Sequence, residues 1–204
     1  MATKVMRADS PQRAELEAQG WSVAARSFGA RLDADRVDES RLRRLRRLRR
    51  LVEQVAVSVS VRSLDGRDVD AVLALDAATA DDYPGSVATR HALLDREGAT
   101  PTPARRGFGA FGPDGELVAM TFVDVETDGD GSAAETDFTV VHRAWRRRGL
   151  AVAVKAASVL ALSAEGVTRF RTGGSADNAG IIRANTVLGY VRDEEWITLE
   201  RAAD

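Results

Sequence analysis

The sequence predicts a mixed α/β domain, a central mixed sheet with helices on both faces. Three observations lead there. Apolar residues alternate with polar ones in short runs (residues 55–61) and recur at helical spacing in longer ones (residues 150–164). Clusters of turn formers, Tyr83-Pro84-Gly85 and Gly112-Pro113-Asp114-Gly115 among them, punctuate those runs. The length of 204 residues suits one domain with an appendage and is too short for two full enzyme domains.

Taken in order, the chain divides into three zones. Residues 1–35 hold a short helix at 11–19, ended by Gly20, and an alternating stretch at 21–28 that reads as a strand. A helix feeding one isolated strand makes a poor domain, so this zone must dock on something. Residues 36–53 form an Arg/Leu-rich helix that Asp38 or Ser40 would cap. Its leucines, Leu42, Leu45, Leu48 and Leu51, recur every three residues, so the stripe winds around the helix and makes no coiled-coil seam. From residue 54 the pattern is regular. A half-buried strand spans 55–61, a helix at 65–81 spaces Val69, Val72, Leu73 and Leu75 helically, and a second short helix covers 88–97. A hairpin follows, 107–111 with 117–125, closed by the Gly-Pro-Asp-Gly turn. Next come a strand at 136–141, a helix at 150–164, a strand at 168–172, a helix at 179–188 and a last strand at 196–200.

Composition removes whole classes of chemistry. The chain has no cysteine, so disulfides, thiolate metal sites and cysteine nucleophiles are excluded. His91 and His142 are the only histidines and no HExxH spacing exists, so no metal is expected. Eight arginines against Asp38, Glu39 and Glu53 give residues 36–53 a charge of +5 within a chain of net charge −2. That helix is either a solvated connector whose leucines dock on the domain, or a basic surface for nucleic acid, anionic lipid or an acidic partner. Nothing aromatic is interleaved to stack on bases, so nucleic acid is not the expected partner. Residues 1–19 lack the apolar core of a secretory signal. The most apolar stretch, 150–162, contains Lys155 and falls far short of the roughly 20 residues that span a bilayer. A cytoplasmic protein with no membrane partner is expected.

The segment richest in chemistry runs from Thr139 to Ala151. An apolar strand enters a basic turn, His142-Arg143-Ala144-Trp145-Arg146-Arg147-Arg148, and Gly149 then opens a long apolar helix at Leu150. Amides at a helix N-terminus lack internal partners and carry the positive end of the dipole. Glycine lets an anion approach the backbone, and Ala151 leaves room beside it. The combination reads as a diphosphate cradle. A Walker A loop would need Gly-Lys-Ser/Thr and a dinucleotide fingerprint two further glycines, so neither ATP nor NAD is indicated.

Arg146-x-x-Gly149-x-Ala151 resembles the R/Q-x-x-G-x-G/A acetyl-CoA signature of the GNAT (GCN5-related) N-acetyltransferases. Asn178 and Asn185-Thr186-Val187-Leu188-Gly189-Tyr190 follow at the family's spacing, and the element order over residues 54–204 is similar throughout. The resemblance implies the GNAT fold, a mixed and mostly antiparallel sheet flanked by helices, with acetyl-CoA as co-substrate. It implies that the Val141 backbone pairs with the pantetheine arm and that Arg146, Arg147, Arg148, Gly149, Leu150 and Ala151 offer amides to the diphosphate. It also implies that Asn178 hydrogen-bonds the cofactor arm, with Asn185 beside it. Residues 15–33, ending Arg31-Leu32-Asp33, resemble the tail of the first domain in actinobacterial tandem GNAT proteins. Residues 1–35 therefore read as the remnant of a preceding domain, whose strand extends the sheet or swaps into the partner of a homodimer.

Acetyl transfer to an amine needs the neutral nucleophile, which is disfavoured at pH 7 by roughly 4.6 kcal/mol for an amine of ordinary lysine pKa. A carboxylate can take that proton, and Glu135 and Asp137 are the candidates, in that order. A period of two places both on one strand face with Thr139 and Val141. Family members commonly protonate the leaving thiolate with a tyrosine where this chain has Asn185, and an amide cannot donate as a phenol does. Tyr83, Tyr190 or water would have to substitute. The expected activity is direct transfer from acetyl-CoA to the amine of a small cationic acceptor, favoured by Asp81, Asp82, Asp124, Glu126, Glu135 and Asp137. The alternative is an acyl-CoA-binding module that has lost catalysis.

Overall fold

In the computed structural model, which describes residues 2–33, 39–55, 59–82, 89, 91–128 and 131–201, eight strands form one sheet. They are β1 (Ala2–Arg7), β2 (Ser22–Asp33), β3 (Ser60–Ser63), β4 (Arg105–Phe111), β5 (Leu117–Asp128), β6 (Gly131–Val141), β7 (Val167–Ser175) and β8 (Val191–Arg201). Their spatial order is β1-β8-β2-β7-β6-β5-β4-β3, and every neighbouring pair is antiparallel except β6 with β7. The helices are α1 (Gln12–Ala18), α2 (Glu39–Val55), α3 (Val69–Thr79), α4 (Leu150–Ala164) and α5 (Ala179–Leu188). The mixed, mostly antiparallel sheet flanked by helices is the expected architecture.

A parallel neighbour requires a crossover, and α4 supplies it between β6 and β7. This helix is apolar nearly all round, as suits an element covered on both sides. Ala156, Ala157, Val159 and Leu162 pack with Phe170 of β7 and Val123 of β5, while Leu45 of α2 joins the same cluster from outside. The Arg/Leu-rich helix therefore docks through a leucine, and Arg43, Arg46, Arg47 and Arg50 face solvent. On the opposite face of the sheet, Val69, Val72 and Leu75 of α3 pack on Met120, Phe122, Phe138 and Val140.

Several elements differ from expectation. Strand β1 was not anticipated: it pairs with β8 along its whole length, Ala2 opposite Arg201. The strand expected at 21–28 runs on to Asp33 and lies inside the sheet, between β7 and β8, where its amides and carbonyls serve two neighbours. Helix α2 continues through Val55, and the strand expected at 55–61 is the shorter β3, with residues 56–58 outside those described. Residues 91–95 of the expected helix at 88–97 are not helical. Asp76 Oδ2 accepts the Leu94 amide at 2.8 Å and Asp95 Oδ1 the Gly98 amide at 2.8 Å, so side chains replace a helical ladder there. The turn at Tyr83-Pro84-Gly85 and the cap at Asp38 fall outside the described residues.

One irregularity shapes everything that follows. The β5–β6 register skips a residue between Phe122/Phe138 and Val123/Thr136, leaving Asp137 as the extra member of a bulge. Before the bulge Ala134 packs in the α4-side core; after it Phe138 and Val140 pack against α3. The face shared by Glu135, Asp137, Thr139 and Val141 therefore does not exist. Val141 packs beside Leu150 and Val154 of α4, whereas Glu135 and Asp137 line a groove on the other side.

Candidate active site

Strands β6 and β7 pair only from Ser132/Val167 to Glu135/Arg171 and then part. The bulge turns β6 away just where the pairing stops. Between residues Thr136–Thr139 of β6 and Thr172–Ser175 of β7 lies a narrow cavity, closed below by Lys155 of α4 and on one side by Asn178 and Ile181 of α5. Lys155 Nζ donates to Thr136 Oγ1 at 3.2 Å and to Thr172 Oγ1 at 3.0 Å, one hydroxyl from each diverging strand. Burial lowers the Lys155 pKa to about 7. Gly173 and Gly174 leave the β7 wall bare. A Cβ on Gly173 would stand 2.9 Å from the Phe28 carbonyl oxygen, so the glycine also lets β2 lie close.

Beyond β6 the basic turn leads into α4. Gly149 sits at φ 78° and Arg147 at φ 62°, left-handed conformations that curl the turn back on itself. Among the described residues the amides of 147–152 find no acceptor, so six donors converge ahead of the helix. The arginine side chains do other work. Arg146 bonds Asp82 and donates from Nε to the Val141 carbonyl at 3.1 Å; Arg143 also grips Asp82. Hydrogen bonding from Arg143, aided by the charge of Arg146, holds Asp82 below the ordinary carboxylate range. Arg148 stacks its guanidinium 4.7 Å from the Trp145 ring centroid. The turn thus leaves its backbone amides free while its side chains brace it.

The cavity opens into a groove of about 400 Å³ on the α3 side. Glu135, Asp137 and Glu194 line it with Arg171, which is itself paired to Asp193 at 3.3 Å and Glu194 at 3.0 Å. The carboxylates outnumber the cation, so the groove suits a positively charged guest. Asp137 is clamped by Arg105 at 2.7 Å, and the same guanidinium holds Asp124 at 2.8 Å. Glu135, opposite Asp124 across the strands, makes no ion pair or side-chain hydrogen bond among the described residues. Val5 of β1 and Ser27, Phe28 and Gly29 of β2 complete the far wall, so the N-terminal zone is part of the site.

Of the residues singled out in the sequence, Glu135 and Asp137 line the groove and Asp137 and Asn178 the narrow cavity, while residues 146–151 line neither. Asn178 caps α5, its Oδ1 accepting the Ile181 amide at 3.1 Å, while lining the narrow cavity. Asn185 follows Asn178 and Ile181 on one face of α5. It is buried, lines neither cavity, and its amide oxygen and nitrogen have no partner among the described residues. Two residues were missed. In the sequence Lys155 stands out as an interruption of an apolar run and as the end of the Gly149–Lys155 stretch that resembles tandem GNAT proteins, with no role in the site. His91 was weighed only as a metal ligand, yet it lines both cavities, stacked on Phe138 at 4.2 Å with Nε2 3.0 Å from Asp76 Oδ1. Its neighbour in the sequence reading, His142, caps the short turn beyond β6 and lines neither.

No family model matches the chain, and no curated protein does. Solved structures do match. The GCN5-related N-acetyltransferase from Kribbella flavida aligns over 99% of this chain and 68% of its own, at 17% identity and TM-score 0.63. The GCN5-related N-acetyltransferase from Sphaerobacter thermophilus aligns over 97% of this chain and 58% of its own, at 16% identity and TM-score 0.64. A tandem GNAT protein from the clavulanic acid biosynthesis pathway aligns over 97% and 62%, at 20% identity and TM-score 0.60. This chain therefore has the GCN5-related N-acetyltransferase fold. It spans between 58% and 68% of the length of these three structures. No helix among the described residues is long and apolar enough to cross a membrane.

Proposed function

We propose that the chain is an acetyl-CoA-dependent N-acetyltransferase that transfers acetyl directly to the amine of a small cationic acceptor. One observation carries most weight: β6 and β7 part after Glu135/Arg171, and the narrow cavity in that splay shares its walls with the groove that Glu135 lines, while β6 leads on to a turn whose amides at 147–152 have no partner among the described residues. The residues present fit acetyl-CoA. The free amides of the turn suit a diphosphate, and the glycine-walled slot suits a slender arm.

Bound acetyl-CoA would supply the activated acyl carbon and a thiolate leaving group. The protein's part is positioning and proton transfer. The free backbone amides from Arg147 onward would hold the diphosphate, and the exposed edge of β6 up to Val141 would orient the pantetheine arm, with Asn178 offering its amide nitrogen at the start of α5. The acceptor's charge draws it into the acidic groove. Glu135, engaged by no guanidinium among the described residues, takes the proton of the bound ammonium. Asp137, held by Arg105, shapes the field instead, since a paired carboxylate is the weaker base. Strands β1 and β2 form the acceptor wall, which gives residues 1–35 a role in the site whatever their origin.

Calorimetric titration with acetyl-CoA tests the cradle: one micromolar site per chain is expected, and Gly149→Asp abolishes it by placing an anion and a strained backbone where the diphosphate sits. Unchanged affinity in that variant would refute the assignment. Glu135→Gln lowers kcat about 10²-fold or more on a responsive amine while leaving acetyl-CoA affinity intact. The absence of a phenol at Asn185 favours the second reading, an acyl-CoA-binding module. Tight binding with no turnover over a broad amine panel would select it.

A further inference from the structure

The floor of the splay holds a cation that amine activation leaves unused. Lys155 is 1% exposed, and its two threonine acceptors come one from each diverging strand. An ammonium has three donors. Among the described residues the third finds no acceptor and no carboxylate pairs with it, yet the side chain lines the narrow cavity beside Thr139, Ser175 and Asn178. Three titratable groups face it. The Tyr190 ring lies 5.3 Å from Nζ, its phenol hydrogen-bonded to Thr136, and His91 and Asp137 line the cavity from above.

Resting on the acetyltransferase function above, we propose that Lys155 is the acid of the reaction, delivering a proton to the thioester sulfur from the floor of the splay. As the acceptor nitrogen bonds to the acyl carbon, the carbon–sulfur bond breaks and its electron pair stays on sulfur. The acceptor ammonium loses one proton through Glu135 to water before attack and a second as the amide forms; Lys155 gives one proton to sulfur and regains one from water, so one proton is released per turnover.

The energetics agree with the geometry. An ordinary thiol has a pKa of about 8.5. From Lys155, brought to about 7 by burial, the transfer to thiolate runs downhill. From a solvated lysine it would run uphill by about 2 units. Tyr190 is the poorer acid, because burial pushes its phenol up against the lowering effect of the Thr136 hydrogen bond. Asn185 occupies the position of the missing tyrosine. The proton that position would have supplied comes instead from the helix across the cavity.

The chain has only two lysines, exposed Lys4 and Lys155, which makes the proposal directly observable. Protein carrying ε-¹³C-lysine gives two side-chain resonances, and Lys155→Met identifies one of them. The Lys155 signal is expected to titrate near pH 7 and to move when CoA is added. In kinetics, Lys155→Met lowers kcat about 10²-fold and removes the alkaline limb of the pH profile, with acetyl-CoA affinity kept within about threefold. A Lys155 resonance blind to CoA, or a folded variant with unchanged kcat, overturns the proposal while leaving the acetyltransferase function standing. Failure of the wild type to bind acetyl-CoA overturns both. Should the variant not fold, the wild-type titration still decides.

Discussion

Arg105 and Lys155 are two cations drawn into the protein on opposite faces of β6, and they are treated in opposite ways. Arg105, on β4, donates to Asp137, Asp124 and the Gly98 carbonyl. Burial opposes its charge, but its hydrogen bonds to Asp137 and then Asp124 more than offset this, and its pKa rises. Lys155 donates to two neutral hydroxyls and, among the described residues, to no carboxylate, and burial lowers its pKa. A guanidinium so held stays charged and fixes the bulge. An amine so placed keeps its charge negotiable, which suits a proton carrier and disfavours stability.

Four measurements break or sharpen that contrast. Lys155→Met should raise stability by about 3 kcal/mol at pH 7 and below, or roughly 6–12 °C in Tm for a chain this size. The sign follows from the folded value of about 7 lying beneath the ordinary lysine value. Between the two the unfolded chain holds the extra proton, so wild-type stability climbs with pH and the variant's advantage fades toward pH 10. An equal advantage at pH 6 and pH 10 would refute the burial account. Arg105→Met should lower stability by about 2 kcal/mol in urea unfolding, because Asp124 and Asp137 lose their shared counter-ion; its 22% exposure keeps the loss below that of a fully buried pair. Thr172→Val should lose about 1 kcal/mol and drive the Lys155 titration lower still, since the ammonium forfeits an acceptor. A third pair, Arg62 with Asp68 at 2.7 Å, lies nearer the surface. Its hydrogen bond lowers the Asp68 pKa despite burial, so the stabilisation is present above the ordinary carboxylate range and vanishes as pH falls through the folded value. Asp68→Asn should therefore cost about 1 kcal/mol at pH 7 and progressively less as pH falls below the ordinary carboxylate range.

How much of this was legible in the sequence depended on whether a signal was local. Helices α4 and α5 begin and end at the expected residues because Gly149 and Gly189 take left-handed conformations at their boundaries. The amide cradle was legible for the same reason. Strand β1 was not: its residues are mostly exposed, Val5 by 48%, and an edge strand pairing with residues nearly the whole chain away leaves no local alternation. The bulge at Asp137 was equally invisible, because a period of two assumes unbroken register and only the partner strand breaks it. Lys155 carried a usable signal, a lone cation among apolar residues at 150–162 in a chain with one other lysine. What could not be read was that β6 and β7 part directly above it.

The placement of β2 has a consequence for how this chain comes to be folded at all. Its ladder partners in β7 and β8 are synthesised about 150 residues after it, which at 5–20 residues per second is on the order of ten seconds of translation. During that interval Phe28, Ala30 and Leu32, all buried in the finished sheet, have no native strand to cover them. The sheet closes only when β8 emerges and flanks β2 on its second side. Folding speed is then governed by that distant closure. The wait leaves an apolar strand dependent on a chaperone or on its own flanking charges, Arg26 and Arg31, to stay unaggregated.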